Sequence, residues 1–213
     1  MTLKNLFFDL DGTILESSRG ILNSFRYTFD EMGHPQLSDA ELNTFIGPPL
    51  ETTFATLANG DDAWAEKAIV TYRKYYAAKG MLEAEPYDGI LETLETLQRL
   101  DYNLFIATSK KEDVAQNMLA GLKLSQHFKG IFGNTPQAHS KTLVLKKSLD
   151  LSQSTPNTSA MIGDREYDII GGQENKVAKT IGVLWGFGDE TELKNAGSDI
   201  LIAHPQQLLE IIR

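Results

Sequence analysis

The chain's opening apolar run, Leu3, Leu6, Phe7 and Phe8, stops at Asp9-Leu10-Asp11-Gly12-Thr13, and no second strand pattern follows until after Glu83. That order constrains the fold more than any other feature. An uninterrupted apolar strand is the pattern of a sheet interior covered on both faces. Here it runs straight into two carboxylates. Side chains at i and i+2 share a face while the backbone stays extended, so Asp9 and Asp11 converge. Paired carboxylates repel, and such a pair calls for a cation or a shared proton. In open α/β sheets, ligand sites lie outside the carboxyl ends of the strands, which is where this pair stands.

After the strand the pattern is helical. Ile21, Leu22, Phe25, Phe29 and Met32 recur at helical spacing, with Gly33 as a stop. Ser38-Asp39-Ala40-Glu41 has the form of a capping box and predicts a short helix to Phe45, before the Gly47-Pro48-Pro49 break. Further helices are predicted over 50–58 and 63–79, the last carrying Trp64, Tyr72, Tyr75 and Tyr76. From Glu83 onward short apolar strands alternate with helices. Strands are predicted at 102–107, 130–132, 160–162, 180–184 and 200–202, with helices at 90–100, 112–122, 142–149 and from about Glu166. Alternation of this kind implies right-handed crossovers and a parallel sheet with helices on both faces. The expected architecture is an α/β doubly wound parallel sheet over 1–15 plus 84–213, with a helical bundle over 16–83 inserted after the first strand.

Composition removes several classes of function. A length of 213 residues, with 41% hydrophobic and 23% charged residues, suffices for a substantial core. The absence of cysteine excludes disulfides, thiolate catalysis and cysteine-based zinc sites. A net charge of −9 opposes nonspecific nucleic-acid binding, so an anionic substrate has to be drawn by local charge or by metal. No apolar run approaches a membrane span, and the amino terminus lacks the basic-then-apolar layout of a signal peptide. The expectation is a cytoplasmic monomer or homodimer with neither nucleic acid nor membrane as partner.

Three further strand ends carry functional groups. Thr108-Ser109-Lys110 offers hydroxyls, backbone N–H groups and an ammonium, which suit a phosphate or carboxylate. Lys141 stands at the start of the helix after the third strand. Gly163-Asp164, with Asp168 four residues on, can face one cation across a helix's first turn. Doubly wound topology gathers these ends at one edge. Oxygen ligands alone, few in number, suit Mg²⁺, with a phosphate held between metal and lysine.

Asp9-Leu10-Asp11-Gly12-Thr13, then Thr108, Lys141 and Gly163-Asp164 with Asp168, in this order, closely resemble the haloacid dehalogenase superfamily. The inserted helices are similar to that superfamily's small α-helical cap. Gly47-Pro48-Pro49-Leu50, Ala107-Thr108-Ser109-Lys110 and Trp185-Gly186-Phe187-Gly188 resemble its phosphoglycolate phosphatase branch, while Glu16 and Tyr87-Asp88-Gly89 depart from the usual residues. The resemblance implies that Asp9 attacks phosphorus to form an aspartyl-phosphate. Asp11 is then the acid that protonates the leaving alkoxide and the base that activates water. It also implies Mg²⁺ held by the Asp9 carboxylate, the Asp11 carbonyl and Asp164, with Asp168 placed directly or through a water. Thr108, the Ser109 amide and Lys141 would bind the transferring oxygens. Gly12, Ser109 and Lys110 are expected at the substrate phosphate. In the cap, Arg19 is expected to meet a substrate carboxylate, and Pro48 to stiffen a bend that lowers over the site. Trp185 and Phe187 are expected only to pack.

The implied activity is a Mg²⁺-dependent phosphatase for a small phosphorylated metabolite, with phosphoglycolate first. A broad nucleotide 5′-monophosphatase, sugar phosphatase or pyrophosphatase is second. A phosphorylation-driven signalling module is an alternative of another class, although its phospho-accepting Asp does not end the first strand.

Overall fold

Leu6, Phe7 and Phe8 are completely enclosed in strand β1 (Asn5–Phe8), which has parallel neighbours on both sides in a sheet whose faces are covered. The computed structural model describes residues 2–212. β1 is followed by a two-residue strand β2 (Leu15–Glu16), then by helices α1 (Ser18–Met32), α2 (Asp39–Asn43), α3 (Leu50–Ala58) and α4 (Asp62–Ala78). After strand β3 (Glu85–Pro86) come α5 (Ile90–Arg99), β4 (Asn103–Lys111), α6 (Glu112–Gly121), β5 (Gly130–Asn134) and α7 (Lys141–Leu151). The chain finishes with β6 (Ser159–Gly163), α8 (Glu166–Glu174), β7 (Lys179–Val183), α9 (Glu190–Asn195), β8 (Ile200–Ile202) and α10 (Leu208–Ile211). Two compact units result, one from the residues up to Glu16 and from Pro86 onward, the other from Ser17–Glu85. Among the described residues no helix is long and apolar enough to cross a membrane.

In the α/β unit six strands run in the order β5-β4-β1-β6-β7-β8, and every neighbouring pair is parallel. Phe8 pairs with Ile106 on one side and Ile162 on the other, so the residues that follow them, Asp9, Ala107 and Gly163, come level. The chain runs from β1 outward through β4 to β5, then crosses back over β1 to β6, β7 and β8 on the other side. The strand order therefore reverses at β1, where such sheets open a crevice. One face of the sheet is sealed by Phe7, Phe105, Val144, Leu145 and Met161, with the rings of Phe7 and Phe105 stacked at 4.9 Å. Full burial of each large side chain contributes about 1.5–3 kcal/mol.

β4 is longer than its apolar pattern suggests. It continues past Ala107 to Lys111, with a register shift against β5 between those residues. Gly133 permits this, since a Cβ there would lie 2.6 Å from the Lys110 carbonyl oxygen. The short α9 and α10 carry too little periodicity to be read from sequence.

In the helical unit Phe25 sits among Phe29, Phe45, Phe54 and Tyr72, with ring centroids 4.8–6.1 Å away. A Cβ on Gly20 would meet the Gly80 carbonyl oxygen at 2.0 Å, so only glycine lets α1 approach the turn after α4. The capping box is formed. Glu41 N–H donates to Ser38 Oγ at 3.3 Å, and Ser38 N–H donates to Glu41 Oε2 at 2.9 Å. The Ser38 hydroxyl and N–H hold the Glu41 carboxyl below its ordinary value of 4.5. A lowered carboxyl stabilises the fold above its unfolded value and loses that contribution as pH falls through the folded one. Glu41→Ala is therefore expected to lower the thermal midpoint slightly at pH 7, with the gap closing below pH 4.5. Melting curves across that range test it, and a gap independent of pH would count against the box.

Candidate active site

The turn after β1 is built by backbone hydrogen bonds that aim both aspartates along the strand edge. Asp9 N–H donates to the Ile162 carbonyl at 2.9 Å, keeping Asp9 in line with β6. Ile14 and Leu15 both donate to the Leu10 carbonyl, at 3.0 and 2.9 Å, which closes the loop. Gly12 adopts φ +84°, and a Cβ there would come within 2.2 Å of Asp164 Oδ2. Glycine is required on both counts, conformation and space.

Lys141 begins α7 behind the Ser140 cap and is buried. Its Nζ donates to Asp9 Oδ1 at 2.6 Å and to the Ala107 carbonyl at 3.0 Å. It also lies 2.8 Å from Asp168 Oδ1, as an ion pair bent away from hydrogen-bond alignment. Burial by itself would lower the Lys141 ammonium. The charges of Asp168 and Asp9 outweigh it and hold the group above its ordinary 10.5. A lysine in this position orients the carboxylate at the end of β1.

Asp164 is fully enclosed at the end of β6. One oxygen accepts from Thr13 Oγ1 at 3.1 Å and the other from Phe187 N–H at 2.8 Å. Burial, then the negative charges of Asp168 and Asp9, push its carboxyl well above the usual 3.8, against the pull of those two donors. Asp168 lies in the first turn of α8, where its Oδ2 accepts the Arg165 N–H at 3.1 Å. Burial pushes it up, Lys141 pulls it down and Asp9 pushes it up again, to about 6.

Asp9, Asp164 and Asp168 each place one carboxylate oxygen within 4.8 Å of the others. Asp11 stands beside them with Oδ2 2.9 Å from Lys110 Nζ. Four carboxylates thus face two ammonium groups, and the enclosed Asp168 Oδ1 makes no aligned hydrogen bond. Excess negative charge, an all-oxygen donor set and an open lone pair together fit a hard divalent cation.

Thr108 is buried at the end of the regular part of β4, and its Oγ1 accepts the Lys110 N–H at 3.2 Å. Ser109 and Lys110 follow on the same strand, half-buried at the same edge. Arg19 and Pro48 belong to the helical unit, Arg19 exposed in the first turn of α1 and Pro48 half-buried between α2 and α3. Trp185 and Phe187, expected only to pack, each supply a polar contact: Trp185 Nε1 donates to the Thr13 carbonyl at 3.1 Å, and Phe187 N–H holds Asp164. Thr13 was legible as a hydroxyl after Gly12, yet its partner lies far along the chain. Tyr87 stood out in the sequence only as a departure from the resembled branch, not as a group of the site. Its half-buried phenol is pushed up by burial and by the charges of Glu16, Asp164 and Asp11.

Comparison with known proteins identifies the family. The model of the haloacid dehalogenase-like hydrolase family matches residues 6–183. A 5′-nucleotidase from Pseudomonas aeruginosa is 36% identical over 193 residues, covering 89% of this chain and 86% of that protein. The tyrosine-protein kinase PtkA from Mycobacterium tuberculosis is 34% identical over 97% of this chain and 70% of its own length. A haloacid dehalogenase-like hydrolase structure from Streptococcus pneumoniae superposes with a TM-score of 0.93 at 37% identity, covering 99% of each chain.

Proposed function

We propose that this chain, which belongs to the haloacid dehalogenase-like hydrolase family, is a Mg²⁺-dependent phosphatase that hydrolyses a small phosphomonoester through Asp9. The observation that carries this reading is Asp9 itself. Its carboxylate ends the central strand, is gripped by Lys141 at 2.6 Å, and shares a three-carboxylate cluster with Asp164 and Asp168.

Asp9 attacks phosphorus in line, the ester P–O bond breaks, and the phosphoryl group passes to the Asp9 carboxylate. Asp11 gives its proton to the departing alkoxide. It then takes a proton from the water that attacks the aspartyl-phosphate, releasing inorganic phosphate and restoring Asp9. Lys110, paired with Asp11 at 2.9 Å, keeps that carboxyl at the strand edge. Thr108 and the Ser109 N–H face the transferring oxygens, where transition-state charge is spread. Lys141 donates to Asp9 and the Ala107 carbonyl and is ion-paired with Asp168, and so acts by fixing the nucleophile. Mg²⁺ held by Asp9, the Asp11 carbonyl, Asp164 and Asp168 would supply positive charge opposite the phosphoryl oxygens.

Phosphoglycolate is the first substrate proposed, with the exposed Arg19 guanidinium as the partner for its carboxylate. Nucleoside 5′-monophosphates are the second reading, favoured by the 36% identity to a 5′-nucleotidase. A phosphoryl group resting on Asp9 is equally an intermediate for transfer, and the acceptor decides between water and a hydroxyl.

The test is a phosphate-release screen over phosphoglycolate, nucleoside monophosphates, sugar phosphates and pyrophosphate, with Mg²⁺ and with a chelator. Release that needs Mg²⁺ is expected, with kcat/KM highest for phosphoglycolate. A highest value for a nucleotide would replace the substrate. No release from any ester, or phosphate passed only to an added acceptor, would overturn the phosphatase reading.

A further inference from the structure

The stretch from Trp185 to Glu192 follows β7 and runs into the first turn of α9; it has no part in the chemistry above, yet it is tied to both loops that carry the acidic cluster. Trp185 Nε1 donates to the Thr13 carbonyl at 3.1 Å, which anchors the stretch to the turn after β1. Phe187 N–H donates to Asp164 Oδ2 at 2.8 Å. Glu192 Oε1 accepts from Arg165 Nε at 2.7 Å and from Glu166 N–H at 2.9 Å, gripping the residues between Asp164 and Asp168. Asp189 steadies Glu192 in turn, accepting its backbone N–H at 2.8 Å.

The fit leaves no slack. A Cβ on Gly186 would lie 2.3 Å from Asp164 Cβ and 2.4 Å from the Gly12 carbonyl oxygen. A Cβ on Gly188 would lie 2.0 Å from the Asp164 carbonyl oxygen. Asp164 is therefore clamped through side chain and backbone together. Its two carboxylate oxygens already have Thr13 and Phe187 as fixed partners, so the directions left for a cation are set by this stretch. Contacts that orient ligating groups from behind commonly change metal affinity by roughly 10–100-fold.

We infer that Trp185–Glu192 is a brace that presets the acidic cluster for a divalent cation, with Glu192 as its main positioning residue. The inference rests on the metal-dependent reading above. Glu192 touches neither substrate nor reacting atoms; it acts through Arg165 and the first turn of α8.

Calorimetric titration of Mg²⁺ into the full-length wild type, Glu192→Ala, Glu192→Gln and Trp185→Phe separates the two ideas. Glu192→Ala is expected to weaken Mg²⁺ binding by about tenfold. Glu192→Gln keeps an acceptor oxygen in the same place and is expected to weaken it less. Trp185→Phe removes only the indole N–H and is expected to shift affinity in the same direction. The Mg²⁺ concentration for half-maximal activity should move in parallel, by a larger factor than kcat. A purely structural Glu192 would lower the thermal midpoint and leave Mg²⁺ affinity below that midpoint unchanged, which overturns the brace. Absence of saturable Mg²⁺ binding in the wild type overturns the metal reading, and the brace with it.

Discussion

Asp9→Asn is expected to abolish phosphate release from every ester, with a loss on the order of 10⁴–10⁶-fold in kcat, the scale of removing a covalent nucleophile. The substitution keeps the shape of the side chain and its reach toward Lys141, but an amide oxygen does not attack phosphorus. The fold should survive. Lys141 retains Asp168 at 2.8 Å and the Ala107 carbonyl at 3.0 Å, and a buried cluster short of positive charge loses one carboxylate. A melting curve therefore distinguishes loss of chemistry from loss of structure. Acid-quenched wild type given labelled substrate should hold a base-labile acyl-phosphate that is missing from the variant. Near-normal activity in Asp9→Asn would end the covalent mechanism.

Lys141→Met is expected to damage both activity and stability. Its Nζ is the one cation within 3 Å of both Asp9 and Asp168 among the described residues. Removing one partner of a buried ion pair costs about 3–5 kcal/mol, because the remaining charge is left uncompensated. For a chain of this size that is roughly a 10 °C fall in thermal midpoint. Activity should drop on the order of 10²–10³-fold, as when one fixed electrostatic donor is removed.

The pH dependence has a definite sign. Lys141 is held above its ordinary 10.5, so its contribution is fully present below that value and constant from pH 5 to pH 8. Any change in the deficit over that range therefore comes from the carboxylates. Asp168 titrates at about 6 in the intact protein, and without the lysine it should titrate higher. The deficit should be large at pH 8, where the cluster is ionised, and smaller near pH 5. Mg²⁺ should restore part of it at pH 8 by supplying the missing positive charge. A variant as stable as wild type at pH 8 without Mg²⁺ would show that the cluster does not carry the charge assigned to it.

Much of the architecture was legible from local pattern. The apolar run ending at Asp9 and the alternation after Glu83 correspond to a parallel α/β sheet, because a strand covered on both faces must be apolar throughout. The helical stretch before Glu83 followed from 3.6-residue spacing, and the capping box at Ser38 from its two residues. Where the pattern ran out, the physics was not local. β4 reaches Lys111 because Gly133 on a neighbouring strand leaves room for it, a fact absent from the residues of β4 themselves. Trp185 and Phe187 looked like packing residues because their use depends on an indole N–H and a backbone N–H, and a hydrophobicity pattern registers neither. Lys141 was recognised as a cation of the site, while its hold on Asp9 and Asp168 required three-dimensional contact.

By itself, the sequence determined which chemical groups arrive at strand ends and in what order, since periodicity and turn residues act over a few positions. It could not determine how those groups share charge. Thr13 reaches Asp164 across 151 positions, and Glu192 grips the turn between Asp164 and Asp168 from a separate helix. Such contacts arise only when the sheet brings distant loops to one edge. Burial there makes each unpaired charge costly and so dictates its partners. Tertiary structure decided that Asp9, Asp164 and Asp168 form one cluster and that Lys141 holds Asp9.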